Sequence, residues 1–344
     1  MRSVVRPFSW VLLGVLIGTG PLRAAPPTAA SGAADKDEVK MPDSVRKATA
    51  RGLAWLAACQ NSDGSWSDGR YPHNPAITSF ALLAFLSQGH VPNQGPYGKE
   101  IARGLRFLLS CAREDGYLIG TRGGNMYSHG MATLALAELW GVSNDKAIKP
   151  TLQKAVDLIV ASQNKQGGWR YSPRPADADI SVTIMQVMAL RAAKNAGIHV
   201  KDEVIKKAIG YIKTCYDERS GGFSYQPRSG PGFARTAAGV CVLQLTGEYK
   251  AKEIPRSIKY LQDHFHDGEH YWYGHYYAAH AMHQVGGKEW KDWYARIVKE
   301  WLPKQKSDGS WNTGSEHDSG PVYQTSIAII ALSVPMNYLP IFQR

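Results

Sequence analysis

One short signal returns down the whole chain and constrains its fold more than anything else. Gln60-Asn61-Ser62-Asp63-Gly64-Ser65-Trp66 carries it first. It recurs as Asp115-Gly116-Tyr117, Gly167-Gly168-Trp169, Gly221-Gly222-Phe223, Tyr271-Trp272 and Asp308-Gly309-Ser310-Trp311. Self-similarity at a period of roughly fifty residues marks a repeat architecture. Before each signal lies a segment with apolar residues at helical spacing, such as Leu53-Leu56-Ala57 or Ala155-Leu158-Ile159. After each lies a more continuously apolar one: 77–86, 130–139, 181–190, 236–245, 278–285 and 326–332. A one-sided helix lies at a surface and an apolar-all-round helix is buried. Each repeat therefore reads as an outer amphipathic helix, a Gly-aromatic turn and an inner buried helix. The fifth turn matches least well, because its glycines, Gly268 and Gly274, fall differently.

Six such hairpins give about twelve helices. An open superhelix would need polar caps on its terminal repeats, and neither terminal repeat has that character. The expected fold is all-α, a single closed α/α toroid (an α6/α6 barrel) over residues 44–344, with an open helical solenoid as the alternative. Residues 1–25 have the form of a secretory signal peptide: Arg2 and Arg6 precede an apolar run, and Leu22-Arg23-Ala24 offers a small-residue cleavage site. Export to the periplasm or the extracellular space follows, with an uncleaved anchor as the alternative. Residues 26–43, rich in Pro, Ala and charge, read as a flexible linker. No later segment is apolar for long enough to span a bilayer.

The formal charge of +11 falls to about +8 once the three leader arginines are subtracted. That excess is spread along the chain, no nucleic-acid motif accompanies it, and nucleic acid is not an expected partner. Cys59, Cys111 and Cys215 fall just before the turns of their repeats, where Ser162 takes the matching place in the third. With Cys241 they read as free buried thiols in packing slots. No CxxC or CxxH spacing calls for a metal, and no motif calls for a cofactor.

All inner helices of a toroid point the same way, so their N-termini, with unpaired N–H groups and positive dipole ends, converge at one mouth. Counting back a common distance from the glycine that ends an inner helix sets Ile77/Thr78, His129, Asp179, Arg235, His275 and Tyr323/Gln324 at equivalent mouth positions. Asp179 is either a helix cap or an active-site acid, with Asp177 as its companion. His129, Arg235, His275, Tyr276 and Tyr323 are the candidate ligand contacts. Between His264 and His283 lie six histidines among Tyr and Trp residues; Tyr276, His280 and His283 share a helix face by spacing. They line a cavity or seam, or, with further ligands, hold a metal.

The Gln-x-x-x-Gly-x-Trp repeat and six hairpins resemble the terpenoid cyclase and protein prenyltransferase superfamily, and more narrowly the exported prenyltransferase/squalene oxidase repeat proteins of bacteria. The resemblance covers nearly everything after residue 44. Squalene-type cyclases carry Asp-x-Asp-Asp where this chain has Asp177-Ala178-Asp179-Ile180-Ser181. The resemblance implies that Asp179 holds the place of their proton-donating Asp, while Ile180 replaces the last carboxylate. Prenyltransferases place an Asp and a Cys around zinc; Ser181 stands at the Cys position and His275 could match their His, so that zinc site is absent or changed. The implied functions are a central cavity for a hydrophobic, isoprenoid-type or anionic small molecule, with acid-initiated chemistry at Asp179, or a non-catalytic binding or scaffold protein that meets a protein partner. Arg235, on the next inner helix, is expected beside Asp179, favouring its ionised form; burial would instead raise its pKa.

Overall fold

The computed structural model describes residues 39–120, 123–313 and 320–343. The expected signal peptide and most of the expected linker lie outside the described residues. The last linker residues do not behave as one: Met41 is buried, Val39 packs on the core, and the first helix starts at Asp43.

Twelve α-helices alternate between two concentric layers among the described residues. The outer layer is α1 (Asp43–Ala58), α3 (Gly98–Ser110), α5 (Ile148–Ala161), α7 (Asp202–Thr214), α9 (Ile254–Asp263) and α11 (Gly287–Trp301). The inner layer is α2 (Pro75–Leu86), α4 (Met126–Val142), α6 (Ile180–Asn195), α8 (Phe233–Leu245), α10 (Tyr271–Val285) and α12 (Pro321–Leu332). Every residue of α2 is buried, whereas α3 buries only one stripe, Ile101, Ala102, Leu105 and Leu108 among it. That is the contrast expected of a core helix and a surface helix. Each inner helix packs on the next, and α12 packs on α2, so the layer closes into a ring. The sole strand pair among the described residues is the short antiparallel ladder of β1 (Phe223–Ser224) and β2 (Pro231–Gly232), with Phe223 opposite Gly232.

The repeat signal works as a staple between neighbouring hairpins. The Gln60 amide donates to Gly64 O within its own turn and to Glu100 O at the start of α3. Gln163 does the same with Gly167 O and Val204 O. Gly64 has φ +90°, and a Cβ there would lie 2.4 Å from the carbonyl oxygen of Arg103 on the next outer helix. Only glycine meets both the left-handed backbone and that approach. The following Trp66 indole donates to Leu56 O at 2.7 Å, pinning the turn to the end of its outer helix.

Closure uses the same parts. Gln305 donates to Gly309 O and to Ala48 O of α1, and Gly309 abuts the Arg51 carbonyl. Sixth turn meets first helix as the first four turns meet their successors, with Gly64, Gly116, Gly167 and Gly221 against Arg103, Lys154, Lys207 and Arg256. An open solenoid is excluded. The fifth repeat departs from the pattern: Tyr271-Trp272, expected at a turn, forms the first residues of α10 instead. Cys59, Cys111, Ser162 and Cys215 are the C-cap residues of α1, α3, α5 and α7. All four cysteines are free thiols; three are buried, and Cys59 is half-buried rather than buried.

At the end opposite the mouth the chain turns back on itself. A short 3₁₀ turn, Pro340–Phe342, packs against α6 and buries Leu339, Ile341 and Phe342. Phe342 stacks on the His280 ring at 3.3 Å, and the Gln284 amide donates to its carbonyl. The channel does not run through.

Candidate functional site

Between the first turns of all six inner helices lies a bowl of about 330 Å³. Six tyrosines line it: Tyr71, Tyr127, Tyr171, Tyr225, Tyr273 and Tyr323. Asn74, Asn125, Ser128, Ser181, Arg235 and His270 add polar groups, and Ala76, Ile77, Phe80 and Ala234 supply the purely apolar wall. Most of the wall carries a polar head on an apolar body.

Helix capping explains how this ring is held. Asn74 and Asn125 sit at the N-caps of α2 and α4, where each carboxamide oxygen accepts two backbone N–H bonds. That leaves each amide nitrogen as a donor. Asp179 caps α6 through Oδ1, which accepts from Val182 N at 2.9 Å. α12 has no side-chain cap of its own. Asp68, from the first repeat, supplies one across the seam by accepting from Tyr323 N at 2.7 Å. α8 and α10 follow N-cap residues Gly232 and His270, the latter with φ +54°, and neither N-cap residue supplies a side-chain cap itself.

The candidate residues separate here. Arg235 and Tyr323 line the bowl. His129 does not: it is buried, its Nδ1 accepts from Leu118 N, and its Nε2 bonds Ala155 O. Burial lowers its pKa to about 4. It is the neutral clasp of its turn. His275 is likewise sealed, bonded to Phe265 O and enclosed by Phe233, Trp293 and Trp301 rings, and burial lowers it to about 3. Tyr276 is fully buried beneath the bowl, edge-on to Phe80 at 5.6 Å, and supports its floor rather than its wall.

The six-fold alignment that grouped these residues needs correction. What is equivalent across repeats is the side chain that binds the backbone of the Gly-aromatic turn: Thr78 to Trp66 N, Thr183 to Trp169 N, Thr236 to Phe223 N and Thr325 to Trp311 N. His129 performs this task for Leu118. Asp179 therefore sits four residues before the ring position and Arg235 one before it. The inner helices differ in length, 12 residues in α2 and 17 in α4, so counting back from their ends loses register.

Asp179 is buried and raised to about 6, burial being the main cause, opposed by its hydrogen bond from Val182, by Tyr225 and by Arg170. Its cationic neighbour is Arg170, with Nε 3.8 Å from Oδ2. Arg235 instead faces Glu269 at 3.2 Å. The expected Asp179–Arg235 pair is not formed, because the two lie in different registers of the ring. The Tyr225 hydroxyl lies beside the second Asp179 oxygen without a well-aligned hydrogen bond, and it bonds the Tyr171 hydroxyl at 3.2 Å. Asp177 is half exposed on the turn, where it binds Arg170 and the Gln226 amide. It positions Arg170 and does not reach the bowl.

The histidine-rich stretch disperses. His264 stacks on Tyr260, His266 meets Arg296, His270 faces the bowl, His280 stacks on Phe342 and His283 turns onto Trp290. Among the described residues no group of three or more His, Cys, Asp or Glu side chains is placed to hold a metal ion. None of the described helices is long and apolar enough to cross a membrane.

Sequence reasoning missed Tyr71, Tyr171 and Tyr225 on the turns, Tyr127 on α4, and both asparagines; Tyr273 belongs to the His264–His283 stretch read as the lining of a cavity or seam. The turn tyrosines follow their repeat aromatics (Trp66, Trp169, Phe223) within five residues, a cue that identifies the mouth but not which way a ring points.

Comparison with known proteins agrees with this architecture. The profile of the squalene-hopene cyclase C-terminal domain matches residues 74–236. A squalene–hopene cyclase of Bradyrhizobium diazoefficiens is 23% identical over 209 residues, which is 54% of this chain and 31% of that protein. The chain thus spans about a third of the length of that relative. Among solved structures, a variant of the type II terpene cyclase MstE from Scytonema, in complex with geranylgeranyl dihydroxybenzoate, aligns with TM-score 0.59 and 14% identity. The alignment covers 86% of this chain and 98% of that one. An inactive variant of the α-1,6-mannanase GH76A of Salegentibacter sp. HEL1_6, in complex with α-1,6-mannotriose, aligns with TM-score 0.66 and 9% identity, over 85% and 99%. At these identities the structural likeness speaks to the fold. With the profile match over residues 74–236 and the distant squalene–hopene cyclase, it supports a toroid like those of the terpenoid cyclase superfamily.

Proposed function

We propose that the chain is a small-molecule-binding toroid whose ligand sits in the tyrosine-walled bowl at the inner-helix N-termini. One observation carries this reading: a volume of about 330 Å³ enclosed by the first turns of six helices, with Arg235 on its wall. That is the low end of ordinary ligand pockets, about 300–1,000 Å³, and it favours a compact molecule. Ring faces suit an apolar body, an isoprenoid-type chain included; Arg235 suits an anionic or acceptor group. A toroid of the superfamily that holds a prenylated dihydroxybenzoate supports an occupant with both parts. Native mass spectrometry of the purified chain from its host, followed by extraction, tests the proposal. A co-purifying small molecule that is lost from Arg235→Ala supports it. A chain that carries only a protein partner sinks it in favour of scaffolding.

A second reading, acid-initiated cyclase-type chemistry, is favoured by the raised pKa of Asp179. Asp179 itself is not on the wall, so its Oδ2 proton would move to the Tyr225 hydroxyl as Tyr225 passes its own to Tyr171 and Tyr171 gives its own to the substrate, leaving Asp179 ionised. Turnover on this reading falls as pH rises through about 6, is abolished in Asp179→Asn and is much reduced in Tyr225→Phe. Retained turnover in both variants ends it. We further propose export of the 44–344 domain, on the leader-like residues 1–25; retention of the intact chain in the cytoplasmic fraction would refute it.

A further inference from the structure

Two titratable side chains lie buried opposite the mouth, against the segment that fills that end. Glu138 of α4 accepts from the Ile341 N–H, and its Oε2 makes no hydrogen bond. His280 of α10 lies flat against Phe342, and neither of its ring nitrogens makes a hydrogen bond. We propose that the 339–342 segment is a pH-sensitive plug, seated while Glu138 and His280 are both uncharged and loosened when either takes a charge. The plug works whatever occupies the bowl.

Opposed forces act on the segment. Leu339, Ile341 and Phe342 are buried, and the Phe342 ring also stands edge-on to Tyr276 at 6.1 Å. Their apolar burial favours seating. Against it stand polar atoms on the side chains the segment touches: Glu138 Oε2, both His280 nitrogens and Gln284 Oε1. Leaving such atoms without partners is costly, and water satisfies them once the segment lifts. The cavity left beside His280 is about 10 Å³, room for about one water and too little to hydrate a charge.

Burial accordingly raises Glu138 from 4.5 to about 8 and holds His280 well below 6.5. Stacking on Phe342 favours a charged imidazole, but desolvation outweighs it and His283 adds opposition. Among the described residues no opposite charge acts on either group. Tyr276 stands edge-on to His280 and within reach of Glu138 and of Cys241 on α8, whose thiol burial keeps protonated. α2 and α12 end in Ser87, Ile330 and Ser333 here, and the following turn brings Asn337 and Tyr338. α11 sets Trp290 against His283, and the basic residues near the end of α6, Arg191 and Lys194, act on Asp202.

Lifting lets water reach both side chains and restores their ordinary values of 4.5 and 6.5. It therefore becomes easier as pH rises from 4.5 to 8, through Glu138, and as pH falls below 6.5, through His280. Each slope is at most about tenfold per pH unit. The two cancel between 4.5 and 6.5, where the plug is tightest.

Hydrogen exchange of the full chain, read by mass spectrometry, tests the plug. The readout is protection of residues 338–343 relative to an unfolded peptide at the same pH. Protection is expected to be flat from 4.5 to 6.5 and to fall about thirtyfold between 6.5 and 8. It falls again below 4.5, while α2 stays protected throughout. Glu138→Gln is expected to keep protection high at pH 8. His280→Phe, which keeps a ring against Phe342, is expected to keep it high at about pH 4. A flat parent profile, or a fall that α2 shares as in global unfolding, would overturn the plug. So would an alkaline fall that Glu138→Gln leaves in place, whether or not His280→Phe folds.

Discussion

The two ends of the toroid are built from the same six helices and do opposite things. At the mouth, the first turns of the inner helices stand around a bowl, and their N–H groups are satisfied one by one by Asn74, Asn125, Asp179 and, across the seam, Asp68. At the far end, the last turns close on the chain's own Pro340–Phe342 segment. There His280 lies under Phe342, Gln284 binds its carbonyl, and Glu138 of α4 accepts from the Ile341 N–H. Short side chains that reach one or two N–H groups leave the mouth open. A segment that inserts its own apolar residues fills the other end. The comparison teaches that what meets the helix ends decides the outcome: single capping side chains leave a bowl at one end, and an inserted apolar segment fills the other.

The largest expected effect tests the plug. Phe342→Ala removes a buried ring and should cost about 3–5 kcal/mol of stability in denaturant unfolding. Binding at the bowl should survive at low temperature. Loss of binding in a folded Phe342→Ala protein would mean that the two ends are coupled and the contrast is wrong.

Glu138 gives the next effect. Burial raises it from 4.5 to about 8, so the folded state holds its proton where the unfolded chain has released it. Its contribution to stability is greatest below pH 4.5, declines as pH rises toward 8 and is constant above that, with a slope of about 1.4 kcal/mol per pH unit at most. Glu138→Gln should flatten the melting profile across this window and stabilise the protein by on the order of 2–4 kcal/mol above it. A profile unchanged by the substitution would show that Glu138 ionises freely and that the far end is wetter than its packing implies.

At the mouth, Asp68→Ala removes the cap that α12 borrows across the seam and should cost about 1–2 kcal/mol. Asp68→Asn should recover most of it. If Asn does no better than Ala, capping is not what Asp68 contributes. Smallest of all, Arg235→Ala should change stability by no more than about 0.5 kcal/mol, since its partner Glu269 is largely exposed. A large loss there would make Arg235 a structural part of the ring.

The residues that carry the repeat could be read from the chain because they act on one another over short distances. Gln60, Gly64 and Trp66 build one turn and staple it to the next hairpin, so their spacing is fixed by local geometry. Closure was legible from the lack of polar terminal caps, and Gln305 and Gly309 achieve it with the same chemistry used everywhere else. The site was only half legible. Arg235 and Tyr323 are on the wall, but His129 and His275, polar residues of the right type, are buried clasps.

The physical reason lies in helix rotation and length. Sequence by itself determined the number of hairpins, the inner and outer faces, the turns and the direction in which all inner N-termini point, because each follows from periodicity or from contacts within one repeat. It could not determine which first-turn residue faces the axis. One residue of slip turns a helix position by about 100°, and the inner helices differ in length. Tertiary packing set that rotation. It moved His129 into the wall behind the turn, brought Arg170 rather than Arg235 to Asp179, and gathered tyrosines from turns and helices far apart in the chain into one bowl.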